Sequence, residues 1–202
     1  MTWLRPPGPV AKGLRIGLLG GSFNPAHVGH LYVGEVAMKR LGLDYVWWLV
    51  APQNPLKPIA DTAPLEDRLA AARALVGRRP RLIVSDLECT IGARYTIDTL
   101  KALTRRFPEV RFVWLMGSDN LEQFHRWRRW IEIVALVPVA VVERPGSLLA
   151  PLRAKAMERF ARRRAQALRR PPAIIVVDGR RNEASASAIR AGLGACRAGV
   201  LE

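Results

Sequence analysis

The sequence predicts an α/β fold of the Rossmann-like type, a doubly wound parallel sheet with helices on both faces. Short apolar runs alternate along the 202 residues with helical patterns of ten or more residues, which is typical of repeated βαβ units. Nearly every position in these runs is apolar, as expected of parallel strands that are buried on both faces. Half of the residues are hydrophobic, which is enough for one sizeable core.

The apolar runs predict six strands, at residues 14–19, 45–51, 81–85, 111–116, 139–142 and 173–177. The helical patterns between them lie at residues 28–41, 65–76, 96–107, 120–136 and 152–168. We expect the fourth of these helices to be broken near Trp127. Ligands of open α/β sheets bind outside the carboxyl ends of the strands, so functional residues are expected in the loops that follow the strands.

A single domain is expected over residues 14–202, preceded by a flexible arm at residues 1–13. The arm contains three prolines and two glycines and lacks the apolar region of a signal peptide. No stretch reaches the ~18 apolar residues of a membrane span, and Cys89 and Cys196 lack metal-like or redox-like spacing. These features predict a cytoplasmic protein without a membrane partner.

The chain is strongly basic, with 32 Lys and Arg against 17 Asp and Glu and a net charge of +15. Such a protein attracts polyanions at low salt, which by itself does not distinguish RNA, acidic membranes and nucleotides. Residues 153–170 carry eight basic residues and the single acid Glu158. Because aromatic residues are nearly absent there, a solvated helix face is favoured over a nucleic-acid patch.

The stretch "GGSFNPAHVGH", residues 20–30, directly follows the first predicted strand. Gly20 and Gly21 allow a sharp turn and a close approach of the backbone to a ligand. Asn24 followed by Pro25 has the order of an N-cap and a first helical residue. A helix is therefore predicted to begin at this loop.

Two histidines of this loop, His27 and His30, would project to the same side of the first helical turns. The unsatisfied N–H groups and the dipole of a helix N-terminus attract anions, so we expect both imidazoles to face a phosphate. A metal site needs at least three ligands, and the remaining histidine, His125, is far along the chain without an acidic cluster. A structural capping turn is the other alternative. The loop matches neither a Walker loop nor a dinucleotide fingerprint.

Two further segments offer groups for binding an anion. In "SASAIR", Ser185 can cap a helix, Ser187 offers a hydroxyl in the first turn, and Arg190 supplies a fork that matches phosphate oxygens. In "NPLKP", Lys57 is an isolated cation between prolines. A plain helix cap and a solvated lysine are the respective alternatives.

Polar and aromatic residues follow the fourth predicted strand. In "MGSDNL", Gly117 permits close approach of the backbone and Asp119 can accept hydrogen bonds from ribose hydroxyls, although capping of the next helix is an alternative. Further along, Trp127 and Trp130 could present an aromatic face to a flat heterocycle or could belong to the core.

The string "GSFNPAHVGH" resembles the Gly-x-Phe-x-Pro-x-His-x-Gly-His signature of the nucleotidylyltransferase superfamily. "SASAIR" and "MGSDNL" resemble two further motifs of that superfamily, with Ser187 where threonine is usual. The resemblance covers nearly the whole chain and is strongest to the bacterial nicotinate-nucleotide adenylyltransferases. It implies transfer of AMP from ATP to nicotinate mononucleotide, with Mg²⁺ delivered by ATP and no metal ligand in the protein.

The resemblance also implies roles for individual residues. Catalytic contacts to phosphate are implied for His27, His30, Lys57 and Arg190. ATP binding is implied for Gly20, Gly21, Ser22, Phe23, Gly29, Gly117, Asp119, Ser185 and Ser187. Binding of nicotinate mononucleotide is implied for Tyr95, Thr96, Trp127 and Arg128. Many members have an aromatic residue at the last of these positions.

Two other functions are compatible with parts of the sequence. An adenylyltransferase could use another acceptor, nicotinamide mononucleotide or phosphopantetheine, although chain length and the segment "RYTIDTL" disfavour the latter. A basic RNA-binding module with a vestigial nucleotide site would show steeply salt-dependent RNA affinity. The two complete phosphate-binding motifs disfavour that module.

Overall fold

The structure, a computed structural model, describes residues 5–52, 62–143, 155–165 and 167–178. In this part of the chain, seven strands form one sheet in which every pair of neighbours is parallel. The strands are β1 (Arg15–Gly21), β2 (Tyr45–Val50), β3 (Leu82–Ser85), β4 (Arg111–Gly117), β5 (Val139–Val142), β6 (Arg164–Ala165) and β7 (Ile174–Val177). Their order across the sheet is β3-β2-β1-β4-β5-β7-β6.

Helices cover both faces of this sheet. They are α1 (Val28–Leu41), α2 (Leu65–Val76), α3 (Leu87–Thr90), α4 (Thr96–Arg106), α5 (Ser118–Phe124), α6 (Trp130–Leu136) and α7 (Lys155–Arg159). The buried sides of α1 and α2 pack on one face, and those of α3 to α7 pack on the other. The predicted Rossmann-like fold, a doubly wound parallel sheet, is therefore confirmed.

Most predicted elements are present, and the largest difference lies in the basic segment. Helices α1 and α2 occupy the predicted ranges, and the fourth predicted helix is indeed interrupted, with Arg129 in the left-handed conformation at φ 54° before α6 begins. The predicted helix at 152–168 is wrong, because α7 ends at Arg159 and is followed by a 3₁₀ turn and by β6. Pairing of β6 with the edge of β7 overrides the helical pattern there.

The described part of the predicted N-terminal arm lies against the domain. Gly13 donates a backbone hydrogen bond to the carbonyl of Glu109 at 2.9 Å, and Lys12 forms an ion pair with Glu109 at 3.1 Å. Val10 packs against the core.

Among the described residues no helix is both long and apolar enough to cross a membrane.

The two central strands define where a ligand can bind. The chain leaves β1 and continues through α1 to β2 on one side, whereas β4 pairs with β1 on the other side. This reversal of winding direction opens a crevice between the loops at the carboxyl ends of the two strands. The loops that follow Gly21 and Gly117 therefore lie at the same edge of the sheet.

Gly20 and Gly21 both lie within β1 and not in the turn predicted for them. A Cβ atom at Gly20 would lie 2.3 Å from Cη2 of Trp114, which is buried on β4. At Gly21 the nearest atom to an added Cβ, on the ring of Phe23, would be 3.5 Å away. Because Gly20 has no side chain, the indole ring of Trp114 can pack directly against β1 at this position.

Gly20→Ala is expected to destabilise the protein because the rigid, buried indole cannot move aside. Overpacking of this kind costs roughly 1–3 kcal/mol. Urea unfolding monitored by circular dichroism measures the loss, and Gly21→Ala, which meets only an ordinary contact, is the matched control. Equal free energies of unfolding for the two variants would contradict this account of Gly20.

Candidate active site

His27 and His30 together cap the N-terminus of α1. His27 is the N-cap residue, and its Nδ1 accepts a hydrogen bond from the backbone N–H of Gly29 at 3.1 Å. In return, Nδ1 of His30 accepts from the backbone N–H of His27 at 3.2 Å. This reciprocal arrangement is a capping box in which two imidazoles replace the usual hydroxyl and carboxylate.

Capping determines which ring nitrogen of each histidine is a donor. Because Nδ1 accepts a backbone hydrogen bond in both His27 and His30, the proton of each neutral ring is on Nε2. The ring centroids are 3.9 Å apart, so the predicted placement of the two imidazoles on one side is confirmed. They lie side by side at the positive end of the α1 dipole, which favours an anion.

The N-cap predicted for this helix was wrong, although the predicted range of the helix was right. Asn24 and Pro25 were expected to be the N-cap and first helical residue, but α1 begins at Val28. The imidazole of His27 takes the capping role expected of Asn24 and accepts from the backbone N–H of Gly29. The side chain of Asn24 instead accepts from the backbone N–H of Ala63 at 3.4 Å.

A stack of buried rings supports the histidines from below. Phe23 is 1% exposed and takes a left-handed backbone conformation, with φ at 46°. Its ring stacks on Trp48 at 5.0 Å and lies 4.6 Å from the ring of His30. The positive φ of a buried aromatic residue is strained, and the packing of its ring against Trp48 holds it in place. Phe23, implied to bind ATP, therefore positions His30.

The loop after β4 lies beside this site. Gly117 ends β4 and is the N-cap residue of α5, which begins with buried Ser118 and continues with exposed Asp119. The strand pairs directly with β1 through Leu19 and Leu115. Gly117 and Asp119 are thus placed at the same carboxyl edge as the histidines, as the sequence predicted.

The two segments implied to bind the nicotinate group come together. Tyr95 is the N-cap residue of α4 and Thr96 its first residue. The guanidinium carbon of Arg128 lies 4.6 Å from the centroid of the Tyr95 ring, a distance typical of a cation–π contact. Trp127 contacts Trp114 edge-on, with ring centroids 6.0 Å apart.

Trp114 connects the two halves of the site. Its ring packs against Gly20 on one side and against Trp127 on the other. Trp127 was expected to be either a core residue or a stacking platform. It is partly buried and packs against the core, so its location is compatible with both.

Comparison with known proteins identifies the family. Residues 18–192 match the cytidylyltransferase-like family. The chain is 52% identical over 184 residues to a probable nicotinate-nucleotide adenylyltransferase of Methylorubrum extorquens, covering 88% of this chain and 99% of the relative. It is 59% identical over 140 residues to a protein of the same name from Parvibaculum lavamentivorans, covering 69% of each chain.

The chain belongs to the nicotinate-nucleotide adenylyltransferase family. Its fold is shared with a solved structure, the Plasmodium falciparum nicotinic acid mononucleotide adenylyltransferase complexed with NaAD. The two superpose with a TM-score of 0.64 at 17% identity, covering 83% of this chain and 76% of the other.

Some residues implied by the family resemblance lie outside the described residues. These are Lys57, Ser185, Ser187 and Arg190. Within the described ranges, no three His, Cys, Asp or Glu side chains cluster closely enough to hold a metal ion.

Two buried ionisable residues next to the adenylyltransferase site were not predicted. Arg68 lies on the buried side of α2 and Glu88 in the short helix α3. Arg68 has a sequence signal, since it falls on the apolar stripe formed by Leu65, Leu69 and Ala72 at helical spacing. Nothing comparable marks Glu88, because a helix of four residues has no recognisable period.

Glu88 joins α3 to the helix that carries Tyr95 and Thr96. It is 7% exposed, and Oε1 accepts a hydrogen bond from the hydroxyl of fully buried Thr99 at 3.0 Å. Burial raises the pKa of Glu88 from its ordinary 4.5 to about 7, although the hydrogen bond from Thr99 opposes the shift. The carboxyl group is therefore largely protonated at pH 6 in the folded protein.

This raised pKa predicts a pH-dependent stability. The contribution of Glu88 is fully present below pH 4.5 and is lost as the pH rises to about 7, because the unfolded chain releases its proton first. The loss is on the order of 3 kcal/mol. Glu88→Gln should flatten the profile of unfolding free energy between these pH values.

Urea unfolding at a series of pH values measures this profile. Glu66→Gln, at an exposed position of α2, is the matched control and should keep the wild-type shape. An unchanged slope in Glu88→Gln would show that Glu88 is not the titrating group.

Proposed function

We propose that this protein transfers the adenylyl group of ATP to nicotinate mononucleotide, releasing pyrophosphate and forming nicotinate adenine dinucleotide. The pair of imidazoles at the N-terminus of α1 is the observation that carries the proposal. Two Nε2–H donors, a helix dipole and the crevice between β1 and β4 combine at one place. Similarity over 88% of the chain to a protein named for this reaction supports the choice of substrates.

The chemistry requires no deprotonation by the protein. The 5′-phosphate of nicotinate mononucleotide is already an anion at neutral pH and attacks the α-phosphorus of ATP, while pyrophosphate leaves. Catalysis then depends on aligning two anions that repel each other and on stabilising the charge of the α-phosphate and the leaving group. His27 and His30 would donate to these phosphates, and Lys57 and Arg190 would add positive charge.

The acceptor is proposed to bind between α4 and the turn after α5. An aromatic ring at Trp127 suits stacking on a pyridine. Arg128, stacked on Tyr95 at 4.6 Å, is a cation close to Thr96, where the nicotinate carboxylate would lie. A nearby guanidinium favours a carboxylate over a neutral amide, so we propose the acid form of the acceptor.

ATP is proposed to enter as its Mg²⁺ complex. Mg²⁺ commonly keeps most of its waters and is bound largely through phosphate oxygens. Gly117 and Asp119 would contact the adenosine ribose, and the glycines and Ser22 of the first loop would lie along the phosphates.

The spacing of the cysteines supports a cytoplasmic location.

Pyrophosphate release from Mg²⁺–ATP tests the function directly. Nicotinate mononucleotide, nicotinamide mononucleotide and phosphopantetheine are offered in parallel to the purified chain. The highest kcat/KM is expected with nicotinate mononucleotide, because its carboxylate can pair with Arg128. A preference for either other acceptor would refute the proposed substrate, and no release with any of the three would refute the enzyme function.

His30→Ala is expected to lower kcat by about two orders of magnitude, since removing one preorganised donor typically costs ~10²–10³ in rate. Loss of the cap should cost only about 1 kcal/mol of stability. Steady-state kinetics at saturating ATP measures the effect. Lys39→Ala, an exposed residue at the other end of α1, is the control. Near-native turnover of a folded His30→Ala variant would exclude His30 from catalysis.

A further inference from the structure

A buried arginine is hydrogen-bonded to the loop that carries His27 and His30. Arg68 is only 3% exposed, yet its guanidinium donates hydrogen bonds solely to backbone carbonyls among the described residues. Nε donates to Ala63 at 2.8 Å, Nη2 to Pro52 at 2.9 Å, and Nη1 to both Ser22 at 2.8 Å and Ala51 at 2.7 Å. Four of the five N–H groups of the side chain are therefore used.

These carbonyls belong to three separate segments. Ser22 lies in the loop after β1, and Ala51 and Pro52 follow β2. Ala63 precedes α2, and its N–H donates to the side chain of Asn24 in the first loop. A single guanidinium thus connects the loop that carries the histidines with the segment after β2 and with the start of α2.

Among the described residues no carboxylate pairs with Arg68, and the carbonyls that accept its hydrogen bonds are neutral. Burial lowers the pKa of Arg68 from its usual value, but arginine remains protonated in proteins. A buried cation that the described residues do not neutralise is costly, so the position of Arg68 against the loop that carries His27 and His30 needs a reason beyond filling the core.

Filling the core alone would not require arginine. The neighbouring positions on the same stripe of α2 are occupied by Leu69 and Ala72, which are both buried. An apolar residue at position 68 would complete that stripe but would leave several loop carbonyls without their donor. Lysine would retain the charge, but its single ammonium cannot hold four acceptors in a plane.

We propose that Arg68 is a positioning residue for adenylyl transfer: its guanidinium fixes the loop that carries His27 and His30 against the segment after β2. This inference rests on the proposed function. Arg68 acts through the backbone of Ser22, and therefore on the placement of the ATP phosphates. The acceptor site around Tyr95 and Trp127 is built on other elements and should not depend on it.

Two variants separate the effect of the four guanidinium hydrogen bonds from the effect of the charge. Arg68→Lys keeps the charge but loses the planar set of donors, and Arg68→Met loses both. Arg81→Met is the matched control, because Arg81 also donates to backbone carbonyls, those of Leu43 and Asp44, but before β2 at the opposite edge of the sheet. Thermal unfolding of each variant establishes the temperature at which it is folded, and kinetics are measured below that temperature.

Arg68→Lys and Arg68→Met are both expected to lower kcat/KM for ATP about 10- to 100-fold, since a displacement near 1 Å can cost ~10² in rate. The KM for nicotinate mononucleotide should change less than about twofold, because its binding residues are not displaced. Arg81→Met should keep wild-type kinetics even where its melting temperature falls.

Several outcomes would overturn the proposal. Wild-type kinetics in folded Arg68→Lys would show that catalysis does not need the planar set of guanidinium donors, even if Arg68→Met is impaired by loss of charge. Equal changes in KM for both substrates, or the same changes in Arg81→Met, would indicate general destabilisation. If Arg68→Met does not fold, Arg68→Lys decides alone, and failure of both to fold would make the residue purely structural.

The proposed function can fail separately. Wild-type protein that releases no pyrophosphate with any acceptor would refute the enzyme but not the arrangement around Arg68. Titration of wild type and Arg68→Lys with Mg²⁺–ATP, followed by tryptophan fluorescence, then measures binding directly. Weaker binding by the variant supports the proposal that Arg68 positions the loop that carries His27 and His30, and equal binding refutes it.

Discussion

Pairing of β1 with both β2 and β4 is the constraint on which the site depends. Because the three strands are parallel and in fixed register, their carboxyl ends lie at one edge of the sheet. The chain winds in opposite directions on the two sides of β1. The loops at the carboxyl ends of β1 and β4 therefore lead away from each other and leave a crevice between them. Three segments meet at this crevice: the loop that carries His27 and His30, the segment after β2, and the turn at Gly117. They meet only because the backbone hydrogen bonds between the strands hold the strand ends together.

The histidines serve the helix and the proposed chemistry with different atoms. Nδ1 of each ring accepts a hydrogen bond from a backbone N–H at the start of α1, and Nε2 carries the proton of the ring. An aspartate cap would satisfy the helix equally well but would bring no donor for an anion. The stack of Phe23 on Trp48 then restricts the orientation of His30, so the donors are held before any anion arrives. Such preorganisation is what electrostatic catalysis requires.

Two buried ionisable groups, Arg68 and Glu88, support the site with polar contacts. Arg68 donates hydrogen bonds to four carbonyls in the segments that follow β1, follow β2 and precede α2. Glu88 links α3 to α4 through Thr99, below the residues proposed to bind the acceptor. Loops that carry functional groups cannot bury much apolar surface, so polar contacts of this kind hold them to the domain.

The sequence by itself determined the alternation of strands and helices, the ranges of α1 and α2, and the placement of the histidines near a helix start, because hydrophobic periodicity and glycine-rich turns are local signals. It misplaced the N-cap at Asn24, since capping by imidazole is not a usual pattern, and it extended a helix through 152–168, since pairing of β6 with β7 is a long-range contact. Only the tertiary structure decided that Gly20 accommodates Trp114 and that one guanidinium, Arg68, joins three segments, because these contacts form between residues far apart in the chain.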